Sequence, residues 1–110
     1  MKKSTITKAF DYLLNDYHCV LFFEEKHGNH YSFQNETFKL KIYVWEQFDE
    51  LDINLIYNNE NFHINPYIEM PSLTSKCKGL KGFFFSYSDE FWLIIAEIVK
   101  NKIKEIIRQN

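Results

Sequence analysis

The residues able to do chemistry in this chain are few and poorly spaced for it. His27-x-x-His30 comes nearest to a metal pair, because two imidazoles close together can share one ion. A metal site needs three or four ligands, however, and no cysteine or carboxylate stands at a recognised spacing from this pair; His63 would have to arrive from another hairpin. Turn and surface histidines are the simpler reading. For nucleophilic catalysis the candidates are Cys19 or Cys77 with His18, His27, His30 or His63. No nucleophile-elbow context surrounds either thiol. His18 and Cys19 adjoin, and neighbours on a strand point to opposite faces, which argues against a catalytic pair. Both cysteines read as packing residues, in keeping with a reducing compartment.

Carboxylates gather at Glu46, Asp49, Glu50 and Asp52. Acid and base work would require a pocket that pushes two pKa values apart, and an exposed hairpin tip offers none. A solvated loop, or an acidic patch that attracts a basic partner protein, explains the cluster better. The glycines at 28, 79 and 82 match neither a phosphate loop nor a dinucleotide fingerprint. We therefore expect no catalytic residue, no metal and no cofactor.

The elements that position these residues are legible from apolar spacing. Ile6, Phe10, Leu13, Leu14 and Tyr17 recur at helical steps, predicting a helix over about 5–16 capped by Ser4 or Thr5. "CVLFFEEK" is rich in strand formers and halts at "HGN" (27–29), where Gly28 suits a three-residue hairpin loop; "HYSFQ" returns as its partner. Asn35-Glu36, a loop centred on Phe48-Asp49, and Asn59-Glu60 then serve as three more turns. With them, Phe33 faces Phe38, Tyr31 faces Leu40, Val44 faces Ile53, Ile42 faces Leu55, Tyr57 faces Phe62, and Leu55 faces Ile64. One apolar layer falls on one side at every turn, as a meander requires.

Pro66 and Pro71 end the ladder, so 66–82 reads as a connection, while "FFFSY" (83–87) forms a short strand or a buried approach to the last helix. That helix, about 89–108, takes Ser86 or Ser88 as its cap and lays Phe91, Ile94, Ile95, Ile98, Val99, Ile103 and Ile106 on the sheet. The expected fold is α+β: one domain over 1–110, an antiparallel four- to five-stranded meander with an N-terminal helix and a long C-terminal helix on one face.

Composition agrees with a core of ordinary size. The chain has 110 residues, 45% hydrophobic and 25% charged, with aromatics at 18%. A net charge of −2, with basic residues scattered, supplies no field for gathering phosphates, which speaks against nucleic acid. The Met1-Lys2-Lys3 start imitates a signal peptide, but Lys8 and Asp11 interrupt the apolar run that should follow. "FWLIIA" (91–96) falls well short of the ~20 residues that span a bilayer. No membrane contact and a cytoplasmic location are expected.

Strand parity then nominates a binding surface. If Phe38, Leu40, Ile42 and Val44 face the helices, Lys39, Lys41, Tyr43 and Trp45 face away. In the register above, Trp45 lies opposite Asp52, Tyr43 opposite Asn54 and Lys41 opposite Ile56, with His63 beside Ile56. Large rings framed by Lys, Asp and Asn are the mixture interfaces favour. Tyr43, Trp45, Asp49, Glu50, Asp52, Asn54, Ile56 and His63 are the expected partner-binding residues, unless "FFFSY" or 66–82 folds over them or the rings only stabilise an exposed sheet.

The order of features carries a resemblance. "FDYLLNDY" (10–17), the "LFFEEKHGNHYSF" hairpin, the alternating "FKLKIYVWE" strand and the long terminal helix together resemble small bacterial proteins of the toxin-immunity type. The likeness implies a protein that is not an enzyme and that binds and blocks a cognate toxin domain through residues too variable to transfer by position. The alternatives are a structural homodimer stacking through the same face, and a small hydrolase or metal protein using the histidines.

Overall fold

The computed structural model describes residues 2–71, 73, 78–81 and 84–108. Its centre is a five-stranded antiparallel meander in the order β1-β2-β3-β4-β5, formed by Val20–Glu25, Asn29–Gln34, Phe38–Trp45, Glu50–Tyr57 and Glu60–His63. Two short helices, α1 (Lys2–Ala9) and α2 (Asp11–Asn15), precede it. A one-turn helix α3 (Pro66–Glu69) follows, then a separate two-stranded ladder of β6 (Lys78–Lys81) and β7 (Phe84–Tyr87), and finally the twenty-residue helix α4 (Asp89–Arg108). The fold is α+β, as the spacing predicted. No helix among the described residues is long and apolar enough to cross a membrane.

The buried layer is the one parity selects. Tyr31, Phe33, Phe38, Leu40, Ile42, Val44, Ile53 and Leu55 of the sheet pack against Ile6, Phe10 and Leu13 of the N-terminal helices and Phe91, Trp92, Ile95, Val99 and Ile103 of α4. Burying this set, rather than any local propensity, fixes the two-layer arrangement. Tyr87 is buried against the rings of Phe91 (4.2 Å between centroids) and Trp92 (5.9 Å), joining the start of α4 to the strand before it. Ser88 caps α4: its Oγ accepts from the Phe91 amide at 3.2 Å.

Four expectations need correcting. The N-terminal helix starts at Lys2, so Ser4 and Thr5 lie inside it, and it breaks at Phe10. Tyr12 donates its hydroxyl to the Ala96 carbonyl at 2.8 Å, docking the second piece on α4, while Leu13 N–H reaches Phe10 O over a tighter turn. His18 does not lie on the strand, because it takes a left-handed backbone (φ 56) ahead of β1. The stretch 66–82 is more than a connection, since it holds α3 and β6; Cys77, Gly82 and Phe83 lie outside the described residues.

The largest correction is to register. Phe33 pairs with Leu40 and Tyr31 with Ile42; Val44 pairs with Leu51 and Ile42 with Ile53; Leu55 pairs with Phe62 and Tyr57 with Glu60. Every expected ladder is thus displaced by two residues. The turns are the cause. Asn35 accepts from the amides of Thr37 (2.8 Å) and Phe38 (2.9 Å), which places the second turn at Glu36-Thr37. Asn58 and Asn59 both take positive φ (53 and 62), the mirror-image turn that matches strand twist, one residue earlier than Asn59-Glu60. A 3₁₀ turn over Glu46–Phe48 with Asp49 left-handed (φ 56) closes the central hairpin. A slip of two keeps every side chain on its own face.

Candidate functional site

The face of the sheet turned away from the helices is laid out by parity and register. Its rows read Val20, Gln34, Lys39, Ile56, Asn61; then Phe22, Ser32, Lys41, Asn54, His63; then Glu24, His30, Tyr43, Asp52; and at the far end Trp45, Glu50. Over it lies a hollow of about 650 Å³ whose described lining residues come from β1–β5, among them Phe22, Lys41, Tyr43, Asp52, Asn54 and Ile56. None of residues 66–71, Leu73, Ser86 or Tyr87 lines that hollow, while the other side chains of the stretch that could have covered it lie outside the described residues.

The aromatic end is built with care for position. Tyr43 hydroxyl lies 2.8 Å from Glu50 Oε1 and 3.0 Å from the His27 carbonyl oxygen, two acceptors for one proton. Crowding by its neighbours, and the Glu50 hydrogen bond, hold that hydroxyl above its ordinary pKa. His30 lies 4.8 Å from the Tyr43 ring, and Trp45 meets Phe48 edge-on at 4.6 Å. Gly28 allows this crowding: at φ +104 its Cα sits where an added Cβ would fall 2.8 Å from Tyr43 Cε1 and 3.1 Å from Trp45 Cβ. The turn glycine predicted for the first hairpin therefore also shapes the ring cluster.

The expected pairings on this face change with the register. Trp45 lies opposite Glu50 rather than Asp52, Tyr43 opposite Asp52 rather than Asn54, and Lys41 opposite Asn54 rather than Ile56. His63 stands beside Asn54 rather than Ile56. Asp52 anchors the polar edge: its carboxylate meets His63 Nε2 at 2.9 Å and accepts from Asn54 Nδ2 at 3.2 Å. Of the eight residues expected to bind, seven share this surface. Asp49 does not. Its carboxylate accepts from the Tyr87 hydroxyl at 2.5 Å, so it ties the central hairpin to the strand before α4.

Sequence reasoning passed over Val20 and Phe22. Both are large apolar residues on the edge strand, 58% and 57% exposed, and Phe22 lines both the hollow above and another of about 670 Å³ beside Tyr17, His18 and Gln34. The signal was available in "CVLFF", since Gly28 closes a hairpin whose parity puts residues 20, 22 and 24 on the side of Lys41 and Tyr43. Lys39, Lys41 and His30 join the surface by the same rule.

No group of three or more His, Cys, Asp or Glu that could hold a metal ion occurs among the described residues. Cys19 is buried and unpaired in any disulfide, and burial pushes its thiol pKa up, away from the thiolate that a nucleophile needs. Compared with family models, curated proteins and solved structures, the chain has no match.

Proposed function

We propose that the protein is a non-catalytic binding module that captures a protein partner on the open face of its meander, most concretely an immunity-type inhibitor that occludes a toxin domain inside the bacterial cell. The observation that carries the reading is the pair of exposed apolar residues, Val20 and Phe22, on the same helix-free face as Tyr43 and Trp45. Exposed apolar and aromatic area of this kind desolvates cheaply against a complementary surface, and its polar edges tolerate water between encounters.

In this reading Tyr43, Trp45 and Phe22 are the anchors. Glu50, Asp52, Asn54 and His63 select by charge and hydrogen bonding, Ile56 extends the apolar floor, and Asp49 supports from behind. Of the other exposed large apolar residues, Phe48 packs beside Trp45, while Leu93 on α4 and Ile68 on α3 stand singly on the helical side.

Affinity capture from the parent cells tests this with three baits: the wild-type chain, Tyr43→Ala/Trp45→Ala, and Leu93→Asp as a control on the helical side. One partner held by the wild type and by Leu93→Asp, and lost from the double variant while its circular dichroism stays native, is the expected outcome. A partner lost only from Leu93→Asp, or held equally by all three, would refute the proposal. In the immunity case that partner is the toxic domain of a secreted protein encoded beside this chain.

A further inference from the structure

Resting on the reading of the chain as one that captures a protein partner, we infer that the partner enters as an added strand: an extended segment of it, apolar with a basic end, pairs antiparallel with the outer edge of β1. Strands β1 and β5 are the two edges of the meander. β5 has only four residues, Glu-Asn-Phe-His, and is followed closely by α3, so little of it is open to pairing. β1 has six, Val-Leu-Phe-Phe-Glu-Glu, with no lysine, proline or break in register to turn another strand away.

The direction of its backbone is fixed from both ends. Lys26 N–H donates to Gly28 O at 2.8 Å, towards β2, and Cys19 N–H donates to Leu13 O at 2.9 Å, away from it. Successive amides on a strand alternate in direction, so Val20, Phe22 and Glu24 bond β2 while Leu21, Phe23 and Glu25 turn N–H and C=O outward. The bond to Leu13 closes the ladder at Cys19, and an added strand therefore starts at Leu21. No described residue bonds the backbone of Leu21 or Glu25 on that outer side.

Side chains select the occupant. Val20 and Phe22 lie on the open face, and Leu21 and Phe23 stand half-buried on the other, so the first part of β1 favours apolar residues opposite it. Glu24 and Glu25 are exposed, one on each face, and form no ion pair with a described residue. A lysine or arginine opposite each is their complement. A second copy of β1 does not meet both demands. The register that sets Leu21 against Glu25 of the copy puts Glu24 against Phe22. Displacing it by two residues sets Phe22 against Phe22 but leaves Glu25 against Cys19, whose N–H already serves Leu13. A partner strand that opens with two basic residues and continues with apolar ones meets every position, and it leads onto Phe22 and the open face.

Amide hydrogen exchange of the full chain, read by nuclear magnetic resonance, tests this with a synthetic peptide of two N-terminal lysines followed by alternating valine and threonine. At millimolar peptide the Leu21 and Glu25 amides are expected to exchange roughly tenfold more slowly or better, while amides already bonded to β2 change little. A peptide with glutamates in place of the lysines should leave exchange unchanged. Glu24→Lys/Glu25→Lys should reverse the preference between the two peptides, and Glu25→Pro, which removes an outward N–H and no bond to β2, should stay folded by circular dichroism and lose the lysine peptide. Exchange indifferent to the lysine peptide, equal slowing by both peptides, or slowing that grows with the concentration of the chain alone would overturn the inference, the last by showing self-pairing. A partner captured by Glu24→Lys/Glu25→Lys and lost from Tyr43→Ala/Trp45→Ala would remove the edge and leave the open face standing; edge amides protected by the peptide, with no partner captured by any bait, would do the reverse.

Discussion

Gly28 carries more than a turn. Its φ of +104 lies where other residues are strained, and the ring of Tyr43 occupies the space a side chain would need. Gly28→Ala is therefore expected to cost about 2 kcal/mol, from the backbone and the contact together. A urea titration checks this: the midpoint should fall with the slope unchanged. The same substitution should move Tyr43 and weaken partner capture, which ties a residue with no side chain of its own to the function through the rings packed on it. At the tip of the central hairpin, Tyr87→Phe removes the hydroxyl bonded to Asp49. Hydrogen bonds to a charged group contribute about 1.5 to 3 kcal/mol, so a loss in that range is expected in the same titration, with the open face unaltered.

Strands and turns obey different logic at the scale of elements. The turn at Asn58-Asn59 holds two non-glycine residues at positive φ, and asparagine tolerates this better than most residues but less well than glycine. Asn59→Gly should raise stability by about 0.5 kcal/mol, read from the same midpoint, whereas Ser88→Ala should lower it by about 1 kcal/mol through loss of the α4 cap. Which residues face the core was legible in the sequence because the period of two is rigid: Phe38, Leu40, Ile42 and Val44 are buried whatever the register. Which residues sit opposite one another was not, because a slip of two satisfies the same pattern and only side-chain bonding at Asn35 and the backbone at Asn58 and Asn59 decide it. The bounds of α4 were legible, having both a cap and a long apolar stripe. The break at Phe10 was hidden by a spacing that runs unbroken through it, and it is set instead by a tertiary bond from Tyr12 to α4. The bond of Asp49 to Tyr87 was hidden for a related reason: the two are 38 residues apart.

The described residues form a five-stranded sheet with helices on one side and a separate two-stranded ladder. Its interior is rich in tyrosine hydroxyls, and this sets its response to alkali. Burial pushes Tyr31 up to about 12, with Glu25 adding to the shift, from an ordinary value of 10.0. Burial holds Tyr12 and Tyr87 higher still, helped by Tyr17 in the first case and by the bond to Asp49 in the second. Below pH 10 both folded and unfolded chains keep these protons, and the stability they confer is complete. Above it the unfolded chain releases protons that the folded chain retains, so stability falls as pH rises, the share of Tyr31 disappearing between pH 10.0 and about 12. Circular dichroism and tyrosinate absorbance followed together should show unfolding coincide with ionisation of these three; ionisation of all three in a still-folded chain would contradict their burial. On the uncovered side, apolar and aromatic groups stand among mixed charges, and the proposed function depends on that side being the one a partner covers. Carbene footprinting of the captured complex measures this directly: Phe22, Lys41, Tyr43 and Trp45 should lose labelling while Leu93 and Ile68 keep it, and protection of the helical side with the sheet face still labelled would contradict the account.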